Sequence, residues 1–158
     1  MRFSFNVSKL WMFIKYWLPS VAWMALIFSA SADSHSSQRS YGIVVPVLHW
    51  LFPHMPQAQI EALHHYTRKT AHLTEYAILA LLLRRTLFQV MTNLTNPWSV
   101  KLVFAVILLV FLYAASDEFH QSFIPGRTAL FSDVLIDTAG GTAGLLLGWL
   151  FYRVRKKC

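Results

Sequence analysis

A chain of 158 residues with 56% hydrophobic and 13% charged side chains and a mean hydropathy of +0.44 cannot clothe a soluble domain in charge, so it reads as a membrane protein. Its net charge of +7 comes from 14 Lys and Arg against seven acids, and these cations flank apolar segments instead of forming a nucleic-acid patch. The single cysteine, Cys158, leaves no partner for an intramolecular disulfide and no cysteine-based metal site.

The first apolar segment, 16–32, follows a basic stretch and is interrupted by Pro19 and Ser20. It closes with Phe28-Ser29-Ala30-Ser31-Ala32, which resembles a signal-peptide cleavage site. Three further apolar segments favour a retained signal anchor. The connection that follows opens with Asp33-Ser34-His35-Ser36-Ser37, a loop by composition. It then turns apolar and proline-punctuated over 44–53, too short to span and too greasy to be solvated. A short helical segment lying on the outer leaflet is expected there. Pro56 suits the first turn of another helix that runs on into the second span.

That second span, 71–87, has a short apolar part, Tyr76 to Leu83, and is easily missed by hydropathy alone. At about 1.5 Å per residue it covers roughly 25 Å, enough only if its ends snorkel or are buried. The third span is expected over 98–121 and the fourth over 132–152, before the basic tail. Residues 91–98 make a short turn between spans, and 122–131 another, in which Pro125-Gly126 suits a type II turn. The predicted fold is therefore all-α: one polytopic membrane domain over 1–158, with four transmembrane helices and a short interfacial helical segment.

Charge orients these spans. Arg2, Lys9, Lys15, Arg84, Arg85, Lys101, Arg153, Arg155, Lys156 and Lys157 fall on one side, against Arg39, Arg68, Lys69 and Arg127 on the other. By the positive-inside rule both termini are cytoplasmic, and the long connection faces outward.

On this topology the polar residues gather. Lys69, His72 and Glu75 occupy the outer end of the second span, and Asp117, Glu118, His120 and Gln121 the outer end of the third. Arg127 sits in the outer turn, with Asp133 and Asp137 at the outer end of the fourth span. Five of the seven acids thus share one layer. Ionisable groups near hydrocarbon are costly unless paired, hydrated or liganded, so such a layer is read first as a functional site. Lys69, His72 and Glu75 or Tyr76 share one helix face, as do Tyr113, Asp117 and His120 or Gln121. Asp133 and Asp137 continue into Gly140, Gly144 and Gly148, a stripe that permits close helix approach and turns both acids inward.

Plainer readings exist for each residue taken singly. Asp133 or Ser132 suits a helix cap, His72 and Glu75 a local pair, and Arg127 a structural counter-charge. His35, His49, His54, His64 and His65 read as surface or interfacial, and Trp11, Trp17, Trp50, Trp98 and Trp149 as an interface belt. Convergence of several segments on one layer outweighs these readings.

The motifs carry a resemblance. Arg68-Lys69-Thr70-Ala71-His72-Leu73-Thr74-Glu75-Tyr76, Ser116-Asp117-Glu118-Phe119-His120-Gln121-Ser122-Phe123-Ile124-Pro125-Gly126-Arg127 and Asp133-Val134-Leu135-Ile136-Asp137-Thr138-Ala139-Gly140-Gly141 resemble the VanZ-like family in order and spacing. Relatives commonly carry Asn where this chain has Asp137, which adds a negative charge here. The resemblance implies a multi-pass protein of the bacterial cytoplasmic membrane. The family takes its name from a protein associated with low-level teicoplanin resistance, and membership implies no defined reaction.

Two functions fit the layer. In the first, an outward-facing site binds, and in one version modifies, a lipid-linked or other cell-wall-related ligand. Lys69 and Arg127 would hold an anionic group of that ligand, with Gln121, Asp133 and Asp137 beside them. His72, Glu75, Asp117, Glu118 and His120 would supply acid and base. The same His and acid set offers enough ligands for a divalent metal, but ion-pair networks use these residues too; no metal ligand is assigned and no cofactor named. In the second, the layer is structural glue in a non-enzymatic scaffold or shield, an expensive use of five carboxylates. Proton-coupled transport ranks last, because no ionisable residues continue toward the inner side.

Overall fold

The computed structural model describes residues 7–32, 36–91, 94–124 and 129–157. It contains five helices, α1 (Val7–Ala32), α2 (Ser36–Leu51), α3 (Gln57–Val90), α4 (Val100–Gln121) and α5 (Phe131–Arg155). The all-α expectation holds among the described residues.

Helix α4 illustrates why these sequences fold as they do. Leu102, Val106, Val110, Ala114, Asp117 or Glu118, and Gln121 recur every three or four residues and form its buried stripe. Its other faces expose Phe104, Leu108, Leu112 and Phe119, as apolar as the interior. Such a helix suits a hydrocarbon solvent, where every backbone polar group must be bonded within the helix. Ser99 caps its start by accepting from Leu102 N at 3.4 Å.

Helix α3 lies at the centre of the bundle, packed on all four others. Ser20 of α1 meets Thr86 at 2.9 Å, whereas Trp23 donates to the Glu75 carbonyl at 2.9 Å, so α1 and α3 run antiparallel. The seam with α5 runs parallel and is tight. A Cβ added at Gly140 would stand 2.7 Å from the Leu73 carbonyl oxygen, and one at Gly144 2.7 Å from Ala77 Cα. The expected small-residue stripe therefore faces α3, and Gly141 beside it seats Val110 of α4. Tyr76, Leu79, Ala80 and Leu83 of α3 join Ile27, Val106, Val110 and Leu145 in the main core. These directions bring the ends of α1 and α4 around residues 31 and 117–121 together with the stretch of α3 around Glu75 and the start of α5.

The span count differs from the expectation. Among the described residues, three helices are long and apolar enough to cross a membrane: Trp11–Ser31, Val100–Gln121 and Phe131–Arg155. Helix α3, which contains the expected span 71–87, does not qualify. Lys69, His72 and Glu75 crowd one end of its apolar run and Arg84 and Arg85 the other. Being surrounded by other helices, α3 has less need of lipid-facing side chains than they have.

The connection between α1 and α3 also departs in detail. Ser36 and Ser37, expected in a loop, begin α2, which runs for 16 residues through Pro46; Asp33 to His35 lie outside the described residues. Val45 and Leu48 of α2 close over Ile60 of α3. Pro56 stands at the N-cap of α3, and that helix continues unbroken for 34 residues, as its position suggests. His64, expected at the surface, is buried at 7% exposure under α2, with Nε2 3.0 Å from Ser40 Oγ and Tyr41 edge-on to its ring.

Candidate functional site

The acids of α3, α4 and α5 do converge. Asp117 is the pivot, at 1% exposure. The same four-residue stripe that buries Val110 and Ala114 carries Asp117 inward. Its Oδ2 accepts from Ser31 Oγ at 2.8 Å and from Gln121 Nε2 at 2.9 Å, tying α1 to the last turn of α4. Its Oδ1 is buried with no hydrogen-bond partner among the described residues, as are Tyr76 OH and His120 Nδ1. Buried polar atoms without partners are rare and costly, so three in one region mark it as unusual.

Around Asp117 stand the other members. Glu75, Asp137, His72 and His120 lie within electrostatic range of it. His72 Nδ1 is 3.6 Å from Glu75 Oε2, on neighbouring turns of α3. The His120 ring packs on Phe28 of α1, centroids 4.4 Å apart. Tyr76, wholly buried, has Asp117, Asp137, Glu118 and Tyr113 within electrostatic range. Tyr113 itself donates to the Met24 carbonyl at 2.6 Å and so anchors α4 on α1.

Two members have work of their own. Glu118 Oε2 accepts from Leu130 N at 3.1 Å; Leu130 is the N-cap of α5. A carboxylate from α4 thus helps anchor the start of α5, where Asp133 or Ser132 had suited a cap; no side-chain cap bond is made there. A negative group at a helix N-terminus also meets the positive end of its dipole. Asp133 and Asp137 are expected to point inward together, yet only Asp137 is buried. Asp133 is about one-third exposed and meets Lys69 Nζ at 3.9 Å, linking α3 to α5. The reason is helix phase: four residues advance about 400°, so Asp137 sits 40° round from Asp133 and one turn deeper.

Arg127 lies outside the described residues, with Pro125 and Gly126, so its expected place above the acids is not described. Among the described residues no three His, Cys, Asp or Glu side chains form a group able to hold a metal ion.

A groove of about 660 Å³ runs along α3 beside Trp23. Leu63, Tyr66, Ala71 and Ile78 line it, together with the methyl-bearing Thr70 and Thr74, and Glu75 is its one charged lining residue. The hydroxyls of Thr70 and Thr74 turn back to carbonyls one turn earlier, at 2.9 Å and 2.8 Å. Their polarity is thereby spent on the helix, and the groove wall is largely apolar. Sequence reasoning missed Trp23, Ser31 and the groove. Hydroxyls and an indole within an apolar run are the available signal, since such groups seek interhelical partners.

Residues 16–152 match the family model described as VanZ/LLP1. The chain belongs to the VanZ/LLP1 family. Within this member, the matched range takes in the described site residues from Lys69 to Asp137, together with Arg127. No curated protein and no solved structure matches the chain. VanZ/LLP1 membership and the three apolar helices make it a helical membrane protein.

Proposed function

We propose that this VanZ/LLP1 member is a cell-envelope protein of the bacterial cytoplasmic membrane whose acidic layer faces outward and binds a lipid-linked, cell-wall-related ligand. The observation that carries this reading is the Asp117 carboxylate. It is buried at 1% exposure, held by two donors on Oδ2, and has an Oδ1 with no donor. Hydroxyl, amide or amine groups of a ligand would satisfy that atom. Lys69 and Arg127 would hold an anionic group on the same ligand, with Gln121, Asp133 and Asp137 as further polar contacts. The groove beside Trp23 offers an apolar chain a path along α3 that passes Glu75.

The orientation follows from charge: Arg84, Arg85, Lys101 and the basic tail 153–157 belong at the cytoplasmic face with both termini. α3 then serves as a fourth span, its polar residues tolerated because α1, α4 and α5 surround it. If the ligand is modified as well as bound, His72 beside Glu75 and His120 near Asp117 are the acid–base pairs available. Glu118 is a weaker candidate because it already receives Leu130 N.

A second reading has an observation of its own. Ser31 on Asp117 Oδ2 and Leu130 N on Glu118 are helix-joining bonds, as a non-enzymatic scaffold or shield would use. Asp117→Asn separates the two, because an amide oxygen still accepts from Ser31. Teicoplanin susceptibility of expressing cells, with membrane abundance measured in parallel, is the readout. Under the ligand-binding reading protection falls at least tenfold while abundance holds. Wild-type protection with wild-type abundance sinks that reading, and loss of abundance favours the scaffold.

A further inference from the structure

The opposite end of the bundle holds a second concave site that the acidic layer does not involve. A pocket of about 470 Å³ lies there, lined by Arg84, Arg85, Arg155, Gln89, Trp98 and Tyr152 among others, and by no acid. The chain has no Asp or Glu in 76–116 or after 137, so no nearby stretch of sequence supplies a counter-charge for these three guanidiniums.

The pocket is built, not incidental. Gly148 clears room for Trp98, whose Cη2 would stand 2.9 Å from a Cβ at that position. The Arg84 guanidinium carbon stands over the Trp98 ring, 4.2 Å from its centroid, and Arg84 donates from Nη1 to the Pro97 carbonyl at 3.1 Å. Its Nε is buried and has no hydrogen-bond partner. Arg155 stacks on Phe151 at 4.4 Å and Arg85 on Tyr16 at 5.2 Å. Stacking fixes the planes of guanidiniums that a snorkelling anchor would leave loose, which lowers the entropy lost on binding. Planar forks of this kind match phosphate oxygens in pairs.

We propose that Arg84, Arg85 and Arg155 form a binding site for a phosphate group, carried either by an anionic phospholipid headgroup or by a free phosphate compound. Leu81, Phe88 and Phe151 on the same lining would take the adjoining hydrocarbon of a lipid.

The test uses the full chain purified in a neutral detergent, with thermal stability and ligand titration as readouts. The probes are phosphatidylglycerol, phosphatidylcholine, and inorganic phosphate and pyrophosphate. Stabilisation by phosphatidylglycerol alone identifies a lipid source; stabilisation by phosphate or pyrophosphate as well identifies the free group. Arg84→Gln and Arg155→Gln should each weaken binding about tenfold or more, the effect of losing a charge-assisted bond. Arg153→Gln removes equal charge from the same end but outside the pocket lining, and should leave affinity within about twofold. Should Arg84→Gln fail to fold, Arg155→Gln decides, since that side chain is exposed. Binding by none of the probes overturns the site. So does an Arg153→Gln loss equal to the others, which would mean general surface attraction.

Discussion

The two ends of this bundle handle charge in opposite ways. At the acidic end, carboxylates are drawn inside and bonded by neighbouring helices, Asp117 by Ser31 of α1 and Glu118 by Leu130 N at the start of α5, with Gln121 one turn along α4 as a second donor to Asp117. At the basic end, guanidiniums stay near the periphery and are laid over aromatic rings, Arg84 on Trp98, Arg85 on Tyr16 and Arg155 on Phe151. A short carboxylate has no stem with which to reach water, so burial forces it to find donors. A long guanidinium can keep its head at an interface while its stem and face lie on apolar surface. The difference teaches that bonds between helices are concentrated where the acids are, and that the basic end keeps its charge available to something outside the chain.

The largest perturbation would part the helices that connect the two ends. Gly144→Leu places a side chain where even a Cβ meets Ala77 backbone atoms at 2.7 Å. Thermal unfolding in detergent should show a loss of about 3 kcal/mol or more, or no folded protein. Wild-type stability would mean that α3 and α5 do not pack as described, and both ends would lose their geometry.

Comparing the ends directly needs a matched pair of serines. Ser31→Ala takes a donor from buried Asp117 and should cost about 1–3 kcal/mol, because an oxygen of a buried carboxylate loses a partner. Ser20→Ala toward the basic end should cost less, about 0.5–1 kcal/mol. There Thr86 Oγ1 keeps the Tyr16 and Leu82 carbonyls, at 2.7 Å and 3.0 Å. Equal losses would remove the contrast.

Smaller still is a pH effect outside the spans. Burial, then Arg68, then His65, hold His64 below its ordinary value of 6.5. A lowered folded-state value means that the neutral ring is favoured. The stability it contributes is complete above pH 6.5 and is lost as pH falls through the lower folded-state value. Hydrogen exchange in α2 should therefore quicken on acidification, and His64→Gln should flatten that dependence. Exchange that slows toward acid pH would show the opposite sign. The smallest change expected is Gly42→Ala, where a Cβ meets nothing within 4 Å. It should be neutral or stabilise α2 by up to about 1 kcal/mol, in contrast with the glycines of α5.

Much of this was legible in the residues. Helix phase alone put Asp117 on one face with Tyr113 and His120 or Gln121, and the Gly140, Gly144, Gly148 spacing announced a close seam. Other features were hidden because they depend on what lies opposite. Nothing local to Glu118 says that it receives Leu130 N, twelve residues on. The buried state of His64 depends on α2 folding over it, and Ser36 looked like a loop residue because its helix is stabilised by packing on Ile60. The 71–87 segment has a short apolar run, visible in the sequence, and by length and composition α3 is not among the three helices apolar enough to cross a membrane.

By itself the sequence determined the membrane class, the helical fold, the gathering of five acids in one layer and the family. The class, the helices and the layer depend on composition, periodicity and charge placement, and the family on its motifs, all of which can be read along the chain segment by segment. Only the tertiary structure decided which carboxylate is a pivot, which anchors a helix start and which is half-exposed with Lys69. It alone decided that Arg84 lies on Trp98 with no acid in the pocket lining. Partnership in a bundle depends on helix direction, depth and phase together, and no single segment carries all three.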